Sequence, residues 1–289
     1  MPLNQNTYIR LDGQLGNQLF QLALAIKISQ EYKINILLDD YLPERKKFKA
    51  FLFQELAVFD YFSYCNKFNV WINRIQHNFT LRKFYKSDDL FIESEHKDFS
   101  LLFSKVYSSY TGFFQSPSLF PDKKTLVKAF ALKSDLIDPT LNKLLLLAQE
   151  SQSLAVSIRR GDFLQCSHLG VCSEEYYLNS IEHIRLKKDI NCIFVFSDDI
   201  NYCRGLLSEL KGQVVFVEGL PPAKSLYLMS QCKHFVIANS TFSWWGAWLS
   251  ESEDKLVICP SPWNDDQPVA SDFIPSDWEI LPKHSLLTN

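Results

Sequence analysis

The sequence predicts an α/β protein built from two units, each with a mostly parallel sheet. Three observations carry this expectation. Short apolar runs alternate with helical stretches along most of the chain, the pattern of repeated βα units. Several of those runs end in Gly, Ser, Asn or Asp, the residues of tight strand-to-helix turns. The chain has 289 residues, 46% hydrophobic and 14% aromatic, which is material for two modest cores.

In order, Tyr8 to Leu11 is predicted as a strand, followed by a turn from Asp12 to Asn17 and a helix from about Gln18 to Glu31. Ile34 to Leu38 is a second strand, closed by Asp39-Asp40. Residues 41–100 are aromatic, basic and mixed in period, and predict short helices packed on a sheet. Val106 to Phe114 reads as a strand, Leu119 to Leu132 as a helix, and Asp138-Pro139 opens a Leu-rich helix to Gln149. The second half is better punctuated. Strands are expected over Leu154–Ile158, Cys192–Phe196, Val214–Val217, His234–Ala238 and Lys255–Ile258. Helices are expected over Glu174–Leu186 behind Ser173, Ile200–Leu210, Ala223–Gln231 and Phe242–Leu249. Domains over residues 1–150 and 151–289, joined near 148–153, would leave a cleft, with functional residues at the carboxyl ends of the strands.

Thirty basic and thirty-three acidic residues give a net charge of −3, which argues against a nucleic-acid binder. The charge is uneven. From Tyr61 to Ser87 the chain carries five basic residues and no acid, interleaved with Phe68, Trp71, Ile72, Phe79 and Phe84. That composition fits peripheral contact with an anionic membrane surface, or else helices with a packed aromatic side and a solvated basic side. Seven scattered cysteines without a CxxC pair read as reduced thiols. No leader pattern and no run of 18 apolar residues occurs, so a cytoplasmic protein is expected, with the inner face of the plasma membrane as its alternative place.

Three segments at predicted strand ends are unusual for ordinary loops. Ser157-Ile158-Arg159-Arg160-Gly161-Asp162 places two arginines directly after a buried strand. Such a pair suits a diphosphate, whose charge grows as its bond to a sugar breaks. Salt bridges to Asp162 and Asp198 are the structural alternative. Asn239-Ser240-Thr241-Phe242-Ser243 leads into Trp244-Trp245-Gly246-Ala247-Trp248. Hydroxyls and N–H groups at a helix start can bind phosphate, while an N-cap followed by aromatic core explains part of the same run. The turn with Gly13, Gly16, Asn17 and Gln18 permits close approach of a ligand to the backbone, or is simply tight. Neither GxGxxG nor GxxxxGK[ST] nor HExxH is present, and the six histidines are scattered.

Together with Gly112-Phe113-Phe114-Gln115 and Phe196-Ser197-Asp198-Asp199, these segments resemble bacterial α-1,2-fucosyltransferases of glycosyltransferase family 11, over about residues 8–264. The resemblance implies a GT-B-like fold, an inverting reaction, GDP-L-fucose as donor and a β-galactoside as acceptor, possibly lipid-linked, in an O-antigen-type glycan. It implies no cofactor and no essential metal. It places Arg159 and Arg160 on the diphosphate, Ser240, Thr241 and Ser243 near the phosphates or fucose, and Gly13, Gly16, Asn17 and Gln18 toward the donor, with Asn239 and Phe242 beside it.

Two positions depart from the family pattern. Ser157 stands where the family has His, and Ser225 stands where an Asp is usual, with Glu218 as the candidate substitute in donor recognition. These departures keep another GDP-linked sugar open as donor, and a non-catalytic glycan-binding relative is the reading from a different class. For the base that takes the acceptor proton, Asp162 is the first candidate and His168 the second. Glu174 and Glu175 read as acids favoured by a helix amino terminus.

Overall fold

The computed structural model describes residues 7–39, 41–42, 47–48, 52–64, 90–96, 98–266 and 268–284. The basic aromatic stretch at 65–87 lies outside the described residues, so only its first residues, Tyr61 to Tyr64, are seen. The chain divides into two compact units, Met1–Phe130 and Ala131–Asn289. The division falls before the joint at 148–153 expected from the sequence. The Leu-rich helix belongs to the second unit, where Asp138 at its start pairs with Lys224 at 2.8 Å.

The first unit contains β1 (Thr7–Arg10), α1 (Leu15–Tyr32), β2 (Ile36–Asp39), β3 (Tyr41–Leu42), β4 (Lys47–Phe48), β5 (Ser63–Tyr64), β6 (Leu90–Ile92), β7 (Ser109–Thr111) and α2 (Lys123–Ala129). Its main sheet is parallel in the order β5-β2-β1-β7-β6. The chain leaves β1 toward β2 on one side, while β7 and β6 lie on the other, so the order reverses between β1 and β7. Helix α1 begins at Leu15, three residues earlier than expected. Gly16, Asn17 and Gln18 are therefore its first turn rather than a loop, with the Gln18 N–H already donating to Gln14 O at 3.0 Å. Among the described residues of 41–100, short strands and 3-10 turns stand where helices were expected. The strand expected at 106–114 shortens to Ser109–Thr111, because Gly112 to Gln115 turn away from the sheet.

The second unit holds α3 (Pro139–Glu150), β8 (Ser153–Ile158), α4 (Glu174–Lys187), β9 (Cys192–Ser197), α5 (Ile200–Leu206), β10 (Gln213–Phe216), α6 (Pro222–Ser230), β11 (His234–Val236), α7 (Thr241–Leu249), β12 (Val257–Ser261) and β13 (Glu279–Pro282). All six strands are parallel, in the order β10-β9-β8-β11-β12-β13. Two such mainly parallel α/β units make up the GT-B-like class the sequence predicted.

Side-chain chemistry sets the helix limits. Asp138, Ser173 and Asp199 cap α3, α4 and α5 by accepting the N–H groups of Leu141, Tyr176 and Tyr202. Leu154, Val156, Ile158, Ile193 and Val195 form the sheet side of the core, against Tyr176, Ile181 and Ile184 of α4. Close packing of α7 on α6 requires Gly246, where a Cβ would lie 2.3 Å from Met229 Sδ. The six described cysteines are free thiols, five of them buried. Among the described residues no helix is long and apolar enough to cross a membrane.

Candidate active site

In the second unit the chain passes from β8 to β9 and β10 on one side, and β11 lies on the other side of β8. The strand order reverses between β8 and β11, and at such a switch point the loops leave in opposite directions and open a ligand crevice. Val156 pairs with Val236 across the two strands, so Arg159 and Asn239 each follow three residues beyond the same rung. The two segments that stood out in the sequence thus meet at one place.

Both arginines are held rather than loose. Arg159 donates Nη2–H to Asp162 Oδ1 at 2.6 Å, and its Nη1 lies 3.0 Å from Asp198 Oδ2. Arg160 lies with its guanidinium carbon 3.6 Å from the Tyr202 ring centre and Nε 3.4 Å from Asp199 Oδ2, and its backbone N–H donates to Asp198 at 3.0 Å. The salt-bridge partners named from the sequence are therefore real, and Asp199 is a third. Gly161 is needed there, because a Cβ would come within 2.5 Å of Asp198 Oδ2. The two Nε–H groups are buried with no hydrogen-bond acceptor among the described residues. Carboxylates and the Tyr202 ring hold the guanidinium groups in fixed positions, as a preorganised anion site would require.

On the β11 side the residues divide by burial. Ser240 is the N-cap of α7 yet makes no side-chain cap bond, and with Thr241 and Phe242 it is partly exposed. Asn239 and Ser243 are buried and their polar atoms are committed inside the protein. Asn239 Nδ2 donates to Leu169 O at 2.8 Å and Gly170 O at 3.1 Å, and Ser243 Oγ lies 3.0 Å from Ser240 O and 3.2 Å from Ala238 O. These internal bonds make both residues part of the wall beside the start of α7. Ser157 is buried within β8. Glu218, after the edge strand β10, is exposed and ion-paired with Arg204, and Ser225 Oγ turns back to Leu220 O at 3.3 Å. Glu218 thus follows a strand two places from β8, and Ser225 lies within α6. Asp162 is exposed beside Arg159, and His168 is exposed on the loop that follows.

That loop is fastened by a residue that nothing in the sequence marked. Lys283, fully buried just after β13, donates to Leu169 O, to Trp263 O at 3.3 Å and to Asp265 Oδ1 at 2.7 Å. The Asp265 N–H in turn donates to His168 O at 3.0 Å. Burial raises the Asp265 pKa, but hydrogen bonds from Lys283 and His284 outweigh it and hold the carboxyl below its ordinary value. Lys283→Met should cost about 2 kcal/mol in urea unfolding at neutral pH by leaving two carbonyls and a carboxylate without their cation. The depressed Asp265 pKa adds stability above the ordinary value of 3.8 that is lost as pH falls through the folded value. The variant should therefore lose less on acidification than the wild type.

In the first unit the Gly13 turn and the Gly112–Gln115 segment meet at the corresponding switch point. Gln21 accepts the Asp12 N–H at 3.0 Å and donates to Gly112 O at 2.9 Å, and Gln115 Nε2 donates to Asn17 Oδ1 at 3.0 Å. Gly13 has φ +75° and leaves no room for a Cβ beside Asn17. Gln18 is buried. Two motifs about a hundred residues apart thus form one constellation.

Among the described residues no three His, Cys, Asp or Glu side chains converge as metal ligands. The sequence model described as glycosyl transferase family 11 matches residues 2–281. The chain belongs to glycosyltransferase family 11. Within the family it is similar to an α-1,2-colitosyltransferase of Escherichia coli, 30% identical over 291 residues, covering 95% of this chain and 98% of the relative. The O-antigen biosynthesis glycosyltransferase WbnK of Escherichia coli is 28% identical over 286 residues, covering 89% and 94%. Among solved structures, NodZ α-1,6-fucosyltransferase soaked with GDP-fucose aligns over 84% of this chain and 92% of its own, with 15% identity and a TM-score of 0.49. This family 11 chain is a glycosyltransferase related to α-1,2-fucosyl- and α-1,2-colitosyltransferases.

Proposed function

We propose that the protein transfers L-fucose from GDP-L-fucose to the 2-hydroxyl of a β-galactoside in a bacterial surface glycan, inverting the fucose C1. The observation that carries this reading is the adjacency of two strand ends at the switch point of the second unit, one leading to clamped Arg159 and Arg160 and the other to the start of α7, in a family 11 chain. The bond between fucose C1 and the β-phosphate oxygen breaks, and the electron pair stays on GDP. Guanidinium N–H groups, with Ser240 and Thr241 at the start of α7, meet the growing negative charge. The acceptor O2 attacks C1 from the opposite face and loses its proton. Asp162 and His168 have the chemistry to take it. Asp162 is already bound to Arg159, so as a base it would also orient the diphosphate clamp.

Similarity to an α-1,2-colitosyltransferase supports a second donor, colitose in place of fucose, with the same linkage. Ser157 and Ser225, which depart from the family pattern, bear on the same choice. A screen of GDP-sugars against galactosides, with product linkage read by NMR, tests the proposal. An α-fucosyl group on galactose O2 is the expected product. No GDP released with any pair would sink the transferase reading, and a colitosyl product alone would move it to the second donor.

The reaction should also survive chelation, because the arginines supply the leaving-group neutralisation that a divalent cation would otherwise provide. Rates before and after exhaustive EDTA treatment should agree. Loss restored by Mg²⁺ or Mn²⁺ would assign Asp198 or Asp199 to a metal instead.

A further inference from the structure

The constellation in the first unit contains a residue that the donor chemistry does not use. Phe113 follows β7 and is 42% exposed, while Phe114, the next residue, is fully buried among Phe91 and Phe99. Phe114 adopts φ +54°, a left-handed conformation that a bulky side chain rarely takes. The Glu93 carboxylate holds that backbone by accepting the Phe113 N–H at 2.6 Å and the Phe114 N–H at 3.1 Å. Gly112 lets Glu93 come this close, since a Cβ there would lie 2.4 Å from Glu93 Cβ. Backbone outliers persist where the surroundings over-determine them, and they cluster at ligand sites. Here the residue beside the outlier, Phe113, is exposed.

The segments bonded to this turn carry polar side chains. The single Gln21 amide bridges the backbones of Asp12 and Gly112, which brings Asp12 close to the residue that precedes Phe113. Asp12 is exposed, and its carboxylate spends one oxygen on the Gly13 N–H at 2.7 Å. Gln115 and Asn17, bonded to each other, are partly exposed on the same segments. An exposed phenylalanine on one segment and an exposed carboxylate on the segment bonded to it, at a strand-order switch point, suit the two sides of a hexopyranoside. Its C–H face lies on an aromatic ring, and its hydroxyls donate to a carboxylate. A β-galactoside suits this well, because its axial 4-hydroxyl leaves a continuous C–H patch on the opposite face.

We propose that Phe113 is the platform on which the acceptor pyranoside stacks, with Asp12 taking its hydroxyl hydrogens. The word acceptor rests on the transferase reading above; the pyranoside site does not. Saturation-transfer NMR with methyl β-D-galactopyranoside, without any donor, tests the site directly. Wild type should show transfer to the C–H protons of one sugar face. Phe113→Ala should weaken binding about fivefold to tenfold, and Phe113→Trp should retain it. In turnover, Phe113→Ala should raise the acceptor KM by a similar factor and leave the donor KM within about twofold. No saturation transfer in the wild type, or unchanged affinity in a folded Phe113→Ala variant, overturns the proposal. Galactoside binding lost in Phe113→Ala without turnover of any GDP-sugar would sink the transferase reading and keep the site. Normal fucosyl transfer with unchanged Phe113→Ala kinetics would do the reverse.

Discussion

Replacing Arg160 with alanine is expected to lower transfer about a hundred- to a thousandfold and leave the protein folded, because one lost oxyanion-type donor costs about 3–4 kcal/mol of barrier. The guanidinium is preorganised by the Tyr202 ring and by Asp199, on a backbone fixed by its own N–H bond to Asp198. Little reorganisation is left for the moment when diphosphate charge develops. The fold should tolerate the change, since Asp199 still caps α5 through the Tyr202 N–H. Loss of a partly exposed ion pair costs at most about 1 kcal/mol. Arg160→Lys should recover only a small part of the rate, because an ammonium has neither the planar fork nor the ring contact. Steady-state rates beside a thermal melt check both halves. Near-normal turnover in a folded Arg160→Ala protein would remove the diphosphate role.

The largest stability effect is expected at Trp244. Its ring is fully buried, stacked on Phe273 at 5.6 Å and Trp248 at 6.0 Å and edge-on to Trp245 at 5.0 Å. Its indole N–H donates to Phe273 O at 2.8 Å. Trp244→Ala opens a cavity and leaves a buried carbonyl unsatisfied, which should cost about 3–5 kcal/mol in urea unfolding. Trp244→Phe keeps much of the ring packing and should cost less than half as much. An alanine variant within about 1 kcal/mol of wild type would mean that the tryptophan run is not the core of this unit.

The parallel strands of the second unit were legible because strands covered on both faces are nearly continuous apolar runs. Leu154 to Ile158 and Cys192 to Phe196 are runs of this kind. Strands of two or three residues, such as Ser63–Tyr64 and Leu90–Ile92, are too short to show a period, and their place is set by tertiary pairing. β13 was missed for a related reason, as its residues alternate in burial on a sheet edge after an irregular segment. At the candidate site, two arginines after a buried strand could be recognised as costly. Their three carboxylate partners lie up to 39 positions away, and only the fold brings Asp198 and Asp199 to them. Asn and Ser have the same chemistry in a cap, a ligand contact or an internal bond, so burial alone separated Asn239 and Ser243 from Ser240 and Thr241. Lys283 left no sequence signal, because a lysine is ordinarily solvated and its burial is created by Leu169, Trp263 and Asp265.

A nucleotide diphosphate is expected to bind at the β8–β11 switch point. Calorimetric titration of GDP into the wild-type protein and into Arg160→Ala tests it most directly, because it needs neither acceptor nor turnover. The account predicts saturable binding of GDP by the wild type. It predicts affinity lower by about tenfold or more in the variant, as expected when a charge-assisted bond to phosphate is removed. It also predicts markedly weaker binding of guanosine, which lacks the phosphates. GDP that does not bind the wild type, or binds the folded variant with the same affinity, would contradict it.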